Sequence, residues 1–505
     1  MILTDAFTAF AQVKQATFLV NGISCDLEQG ILKVEFVTPD VVRVQYTGEN
    51  TFIGNGTDVC LPRAVDNPVR WVYTPNPDCY LLKSDSLIVR VDLSTASITY
   101  LDKEGGLLLQ EDQNIPRISE KRVTKQVIYD EHSKHIEKTA DGDKEIKNVL
   151  RYDIIGHTWK YRINFKWQPL EALYGWGAHM EDYMNLRGKE LYLCQHNLKA
   201  MVPVLNSTAG YGLLFDAGCA MMFKDNSEGS FVELEAAKQI DYYFMKGKTM
   251  DAVVANYRLL TGNSPMMPLY LFGYIQSKER YVSSDDLINT LKEYRQRQIP
   301  IDMIVQDWNY WPEGQWGNMS MNPKFYPDKR KLADEIHSLH AKLMISIWPN
   351  AMNCPQHEEF KRKGWLLSGT SVYDAFNPLA RKLYWNYANN EFFGNGFDAW
   401  WCDASEPLDA DWTFMKDGYG ADNHRQRWEL NTNLLNSVLG AERSQLYSLY
   451  HAKGIYENQR STNEDKRVVN LTRSSYAGQQ RYSTITWNGD TYATWQSFAQ
   501  MIPAG

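Results

Sequence analysis

The sequence predicts two domains in series, an N-terminal β-sandwich followed by a (β/α)8-type barrel. Three observations carry this reading. Short, partly alternating strands separated by turn signals fill the first half of the chain. From about residue 249 strands alternate instead with helical stretches, the pattern of a parallel sheet with right-handed crossovers. Four of the later strands end in polar or aromatic residues, which gathers chemistry at one end of the sheet, as at the C-terminal mouth of a barrel. The division falls at residue 248, with 1–248 as sandwich and 249–505 as barrel.

In the first part, Ile31 to Phe36, Val41 to Tyr46, Ser86 to Leu93 and Ala96 to Leu101 read as strands, and Asn55-Gly56 and Gly105-Gly106 as turns. Residues 117 to 150 are charged throughout and read as a long exposed hairpin or mobile loop. Tyr161 to Phe165, Met201 to Leu205 and Tyr211 to Phe215 are further strands. Tyr174-Gly175-Trp176-Gly177 reads as a glycine-aromatic turn, and no Lys-Ser/Thr follows that would make it a phosphate loop.

In the second part, Asp251 to Leu260 is helical and Thr261 to Pro265 breaks it. Six strands follow: Leu269 to Ile275, Ile301 to Asp307, Lys342 to Trp348, Phe397 to Asp403, Arg467 to Thr472 and Tyr482 to Trp487. Helices are expected over Asp285 to Gln298, started by Ser283 or Ser284, and over Lys331 to His340, Leu430 to Leu439 and Thr494 to Met501. No Gly-x-Gly-x-x-Gly follows a first strand, which disfavours an open nucleotide-binding sheet.

Composition narrows the function. A net charge of −8 argues against nucleic acid and anionic membrane as main partners. Aromatic residues make up 13%, with 16 Trp and 30 Tyr, a surplus that suits sugar binding and is also partly what a large core requires. Seven scattered cysteines without a Cys-x-x-Cys pair speak against a zinc site or disulfide framework, and the histidines show no metal spacing, so no metal or other cofactor is expected. No apolar run approaches a membrane span. Ala9-Phe10-Ala11 before Gln12 has the form of a signal-peptidase site without a basic leader. It reads as a chance match, which would leave the protein in the cytoplasm, or as a shortened leader, which would place it in the periplasm or outside the cell.

The candidate chemistry centres on Phe397 to Pro407, an apolar alternating stretch that ends in Asp403-Ala404-Ser405-Glu406-Pro407. Asp403 falls at a strand's C-terminal tip, beside Trp400 and Trp401. A loop acid capping a helix is the ordinary alternative, and the two indoles weaken it. Asp490, in Trp487-Asn488-Gly489-Asp490, is the candidate partner, since a retaining glycosidase sets two carboxyls roughly 5–5.5 Å apart. A turn residue after Asn-Gly is the plainer reading of Asp490 alone. Asp307, next to Trp308 and Trp311, suits a carboxylate for ring hydroxyls or a helix cap. Arg473 suits a sugar clamp or a structural salt bridge. Glu406 orients Asp403 or is a third acid.

Together these stretches resemble glycoside hydrolase family 31, the retaining α-glucosidases and α-xylosidases. Tyr174 to Gly177 with Leu186-Arg187-Gly188-Lys189 is similar to the family's N-terminal signature, of a galactose-mutarotase-like domain. Gly273 to Tyr281 resembles its first barrel strand and loop, Trp401 to Pro407 its nucleophile motif, and His451 to Arg460 the helix before strand five. Leu471 to Tyr482 resembles the motif that follows, and Trp487 to Asp490 the acid/base motif, with Asn488 where Ser is more usual. The resemblance covers most of the chain in order. It implies Asp403 as nucleophile and Asp490 as general acid/base, with Asp307, Trp308, Trp348, Trp401 and Arg473 lining the sugar site. The substrate implied is an oligosaccharide. Gln306 to Trp311 is similar to the α-xylosidase branch that trims xyloglucan, with α-glucosidase as the other specificity. A barrel of this kind has eight strands. Six are counted here, so the barrel is expected to stop short, with apolar edges exposed and one wall of the site missing. A non-catalytic carbohydrate-binding relative is the reading from a different class.

Overall fold

A computed structural model describes residues 12–53, 58–62, 68–139, 142–408 and 423–505. Ala9-Phe10-Ala11 and the Asn55-Gly56 turn lie outside the described residues.

Two antiparallel sheets form the first half. One has eight strands, in spatial order Val13–Phe18, Gly22–Leu27, Ile31–Thr38, Val41–Thr47, Ile240–Lys246, Tyr211–Phe215, Lys199–Ser207 and Leu173–His179. The other has ten, running from Glu190–Leu193 through Met221–Asn226, Gly229–Ala237, Val149–Lys166 and Leu107–Glu111 to Trp71–Pro75. Their inner faces share one core, in which Tyr100 of the second sheet stacks on Phe244 of the first with ring centroids 4.0 Å apart. Such offset aromatic pairs add about 0.5–1.5 kcal/mol to what burial supplies.

The charged stretch after residue 117 is a long hairpin, Arg117–Tyr129 against Val149–Lys166. Tyr174 to Gly177, expected as a turn, lies inside the strand Leu173–His179 and pairs with Lys199–Ser207 through a bulge between Gly175 and Gly177. Both glycines have positive φ, and a Cβ on either would strike a carbonyl oxygen of the neighbouring strand. The glycines serve a close backbone approach that leaves Trp176 fully buried, which local turn chemistry imitates.

Six parallel strands form one sheet in chain order: Ile275–Gln276, Met303–Gln306, Lys342–Ile347, Ala399–Cys402, Asn470–Thr472 and Thr484–Thr486. Met303, Val305, Met344, Ala399 and Val469 face inward and pack together with Trp401 and Leu471. Ile304, Leu343, Ile345, Trp400 and Cys402 face outward into the helical layer. This alternation explains why the strands read as near-continuous apolar runs, buried on both faces.

The helices keep their sequence signals. Ser284–Gln296 starts at Ser283, whose hydroxyl accepts the Asp286 N–H, a cap contributing about 1 kcal/mol. Lys329–Ser338 is capped by Asp328 in the same way. Helices Pro355–Arg362 and Pro378–Glu391 lie between strands three and four and were not anticipated. Leu269 to Ile275 was expected as one strand. Leu269–Phe272 is instead a 3-10 turn, and only Ile275–Gln276 pairs. Tyr270, Leu271 and Ile275 of the run pack on the inner cluster, whereas Leu269 and Phe272 are exposed, as are Trp495, Phe498 and Ile502 on the final helix Trp495–Ala504.

Candidate active site

Strand ends two and four present an acid in the same way. Gln306 ends strand two, and Asp307 follows; its Oδ1 accepts the N–H of Trp308 at 2.8 Å, and Asn309 then takes a left-handed conformation. Cys402 ends strand four, and Asp403 follows; its Oδ1 accepts the N–H of Ala404 at 2.7 Å, and Ala404 is left-handed in turn. A left-handed alanine is costly, and such residues persist where the surroundings over-determine them, as at functional sites.

Arg473, directly after strand five, organises the acids. Its Nε and Nη2 donate to both oxygens of Glu406 at 2.9 and 3.2 Å. Its Nη1 lies 3.1 Å from Asp403 Oδ1 and 3.2 Å from Asp490 Oδ2. Because one nitrogen makes both contacts, those two oxygens lie no farther apart than the two distances laid end to end, about 6.3 Å (3.1 and 3.2 Å). The Arg473 and Glu406 side chains are buried, whereas Asp403 is 15% and Asp490 55% exposed. The ion-paired core of the cluster is thus sealed, and the two candidate reacting acids face water.

Asp307 sits in the same electrostatic neighbourhood. Burial pushes its carboxyl up to about 7, the Trp308 N–H and the Ser346 hydroxyl pull the other way, and the charges of Asp490 and Glu279 add to the rise. Trp348, after strand three, is buried, with Nε1 donating to Ser346 Oγ at 3.1 Å. Trp401 points into the barrel and packs on Trp487, ring centroids 4.7 Å apart. Trp308 is partly buried, with the Arg280 guanidinium over its ring. The structure therefore brings Asp403, Glu406, Arg473 and Asp490 into direct contact, with Asp307 close by.

Sequence reasoning missed several residues. Trp316 joins Trp308, Trp311 and Trp348 into one aromatic cluster, with centroid distances of 5.6, 5.3 and 5.2 Å. Its only sequence signal is an indole between two glycines in a long loop. Ser346 is an unremarked strand residue whose hydroxyl serves both Asp307 and Trp348. Gln195 and Asn197 come from the sandwich. Their signal is a polar Gln-His-Asn triplet interrupting two apolar strands, which reads as an ordinary loop. Among the described residues no group of three or more His, Cys, Asp or Glu side chains is arranged to hold a metal ion. None of their helices is long and apolar enough to cross a membrane.

A parallel barrel sheet with acids gathered at its strand C-termini, behind a β-sandwich that reaches into them, defines a two-domain barrel protein of the glycoside hydrolase class. Comparison with known proteins sharpens this. The profile for the "Glycosyl hydrolases family 31 TIM-barrel domain" matches residues 264–505, and that for the "Glycosyl hydrolase 31 N-terminal galactose mutarotase-like domain" matches residues 31–223. The chain belongs to glycoside hydrolase family 31. It is 31% identical over 484 residues to an α-xylosidase of Saccharolobus solfataricus, covering 94% of this chain and 60% of that protein. It thus spans about 60% of the length of that relative. Its fold is similar to that of a family 31 α-xylosidase from a soil metagenome, solved with xylose (TM-score 0.78, 23% identity, 97% of this chain and 70% of the other). It is equally similar to that of a family 31 dextranase from Flavobacterium johnsoniae (TM-score 0.78, 20% identity, 98% and 59%).

Proposed function

We propose that this site is that of a retaining, exo-acting α-glycosidase that removes non-reducing terminal α-linked sugars, with α-xylosidic xyloglucan oligosaccharides as substrate. The division at residue 248 into sandwich and barrel is part of the same reading. The observation that carries it is the pair Asp403 and Asp490 on one guanidinium nitrogen. The span of about 6.3 Å that this allows admits the separation of roughly 5–5.5 Å that retaining enzymes use and leaves little room for an inverting water between the carboxyls.

In the first half-reaction Asp403 attacks the anomeric carbon as the glycosidic bond breaks, and Asp490 gives its proton to the departing oxygen. In the second, Asp490 takes a proton from water. The water oxygen bonds the anomeric carbon, and the Asp403 ester bond breaks with net retention. Glu406 holds Arg473 by Nε and Nη2, which keeps Nη1 turned to Asp403 and Asp490. Asp307 and the cluster of Trp308, Trp316 and Trp348 suit a bound sugar ring, by hydroxyl acceptance and by stacking. The xyloside preference is supported by the likeness to α-xylosidases; the fold shared with a dextranase keeps a glucoside preference as the outcome to be excluded.

The test is hydrolysis of aryl α-xyloside against aryl α-glucoside by the 505-residue chain. Faster cleavage of the xyloside, lost in Asp403→Ala, is expected. A reversed preference would assign the α-glucosidase, and no turnover of either would leave a binding protein.

A further inference from the structure

Asp490 is held from the other domain. Asn197 lies between the sandwich strands Glu190–Leu193 and Lys199–Ser207, and it is fully buried. Its side chain clasps Asp490 in two directions. Its Oδ1 accepts the Asp490 backbone N–H at 3.0 Å, and its Nδ2 donates to Asp490 Oδ2 at 2.7 Å. The backbone N–H can only donate, so this contact fixes which end of the amide faces the carboxylate.

The clasp is rigid. The Gln195 N–H donates to Gln445 Oε1 at 2.6 Å; its Nε2 donates to the carbonyls of Met201 and Ser475, and its Oε1 accepts from the Met201 N–H and the Ser474 hydroxyl. The segment is thereby bolted to the barrel on both sides of strand end five. Gly489 makes the close approach possible, because a Cβ there would lie 2.5 Å from Asn197 Oδ1 and 2.6 Å from the Leu198 nitrogen.

Both side-chain contacts of Asp490, from Asn197 and from Arg473, converge on Oδ2. Oδ1 has no hydrogen-bond partner among the described residues, on a side chain that is 55% exposed. We propose that Asn197 is a positioning residue for the acid/base, occupying Oδ2 so that Oδ1 alone exchanges the proton with the leaving oxygen and then with water. This rests on Asp490 being the acid/base. In the first step the proton on Oδ1 passes to the glycosidic oxygen as its bond to the anomeric carbon breaks; in the second a water proton returns to Oδ1. Oδ2 accepts its two donors throughout.

The experiment compares two aryl α-xylosides that differ in leaving group, phenyl, which needs protonation, and dinitrophenyl, which does not. Asn197→Ala and the shape-keeping Asn197→Asp, both checked for native circular dichroism, are expected to lose about 10- to 100-fold in kcat/KM on the phenyl glycoside. On the dinitrophenyl glycoside kcat/KM, which reports the first step alone, should fall less than about 3-fold, since general acid assistance is not required there, whereas kcat still falls because the second step needs the base. Asp490→Ala is the reference and should show the same split, larger. If Asp490→Ala shows no split, or wild type turns over neither these xylosides nor the matching glucosides, the acid/base reading itself is wrong. If Asp490→Ala splits the two substrates while both Asn197 variants slow them equally or not at all, Asn197 is only structural and the proposal is overturned.

Discussion

Each domain buries an arginine among carboxylates, and the two clusters balance charge differently. In the sandwich, Arg43 binds Asp241 through both oxygens at 2.9 and 2.6 Å, and Gln45 Nε2 donates to the same carboxylate at 2.9 Å. A second acid, Asp216, lies near. Burial and the charge of Asp241 push its carboxyl well above the ordinary range. Arg43 thus holds one carboxylate by hydrogen bonds. In the barrel, Arg473 contacts three carboxylates, and the two that Glu406 does not represent reach water. In the sandwich the arginine is matched to a single carboxylate; in the barrel, where a cleft admits water, more acids gather on it than it can pair, and they can do chemistry. An unbalanced cluster at an opening is therefore the signature of the site, and a balanced one of the scaffold.

The largest test of that contrast is Asp403→Ala, expected to cost at least about 10⁴-fold in kcat while thermal unfolding shifts little. Retention of more than a hundredth of the activity would place the nucleophile elsewhere. Next come the two arginines. Arg43→Met should cost about 3–5 kcal/mol of stability by stranding Asp241, with kcat per folded molecule unchanged. Arg473→Met should cost both stability and turnover, because Glu406 is stranded and Asp403 and Asp490 lose their shared donor. Equal kinetic behaviour of the two variants would erase the distinction.

A third buried titratable group sharpens it. His451 is fully buried and has no charged partner among the described residues; Tyr373 OH lies 2.7 Å from its Nδ1, and burial pulls it down to about 3. The folded state then binds fewer protons than the unfolded one between pH 3 and 6.5. Stability is full above about 6.5 and falls by a few kcal/mol as pH drops toward 3. Denaturant midpoints measured across that window, for wild type and His451→Gln, should show the acid loss only with histidine present. The smallest effect is at Asp307. Its carboxyl titrates at about 7, so kcat/KM should rise through that pH as it becomes the acceptor of sugar hydroxyls. A pH–rate profile keeping that rise in Asp307→Asn would assign the ionisation to another group.

What the sequence made legible follows the range of the interactions concerned. Asp403 could be found because the run before it is apolar on both faces and Pro407 ends it, all within eleven residues. Ser283 could be found as a cap for the same local reason. Leu269 to Ile275 misled because its composition is that of a strand, whereas pairing depends on a neighbour that only Ile275 and Gln276 meet. Tyr174 to Gly177 misled because its glycines answer to Val204 and Ala200 across the sheet, not to a turn. Asn197 was invisible because its meaning lies 293 residues away.

That distance also bears on how the molecule is made. The sandwich segment leaves the ribosome long before the residue it clasps. At about 5–20 residues per second, the 293 intervening residues take about 15–60 s to synthesise. Throughout that time Asn197, Gln195 and the polar edge they line have water in place of Asp490, Ser474 and Ser475. The candidate constellation is accordingly assembled from segments translated far apart in time. Onset of turnover in a translation reaction would mark the point at which the barrel strands carrying Asp403, Arg473 and Asp490 have folded and met the waiting sandwich segment.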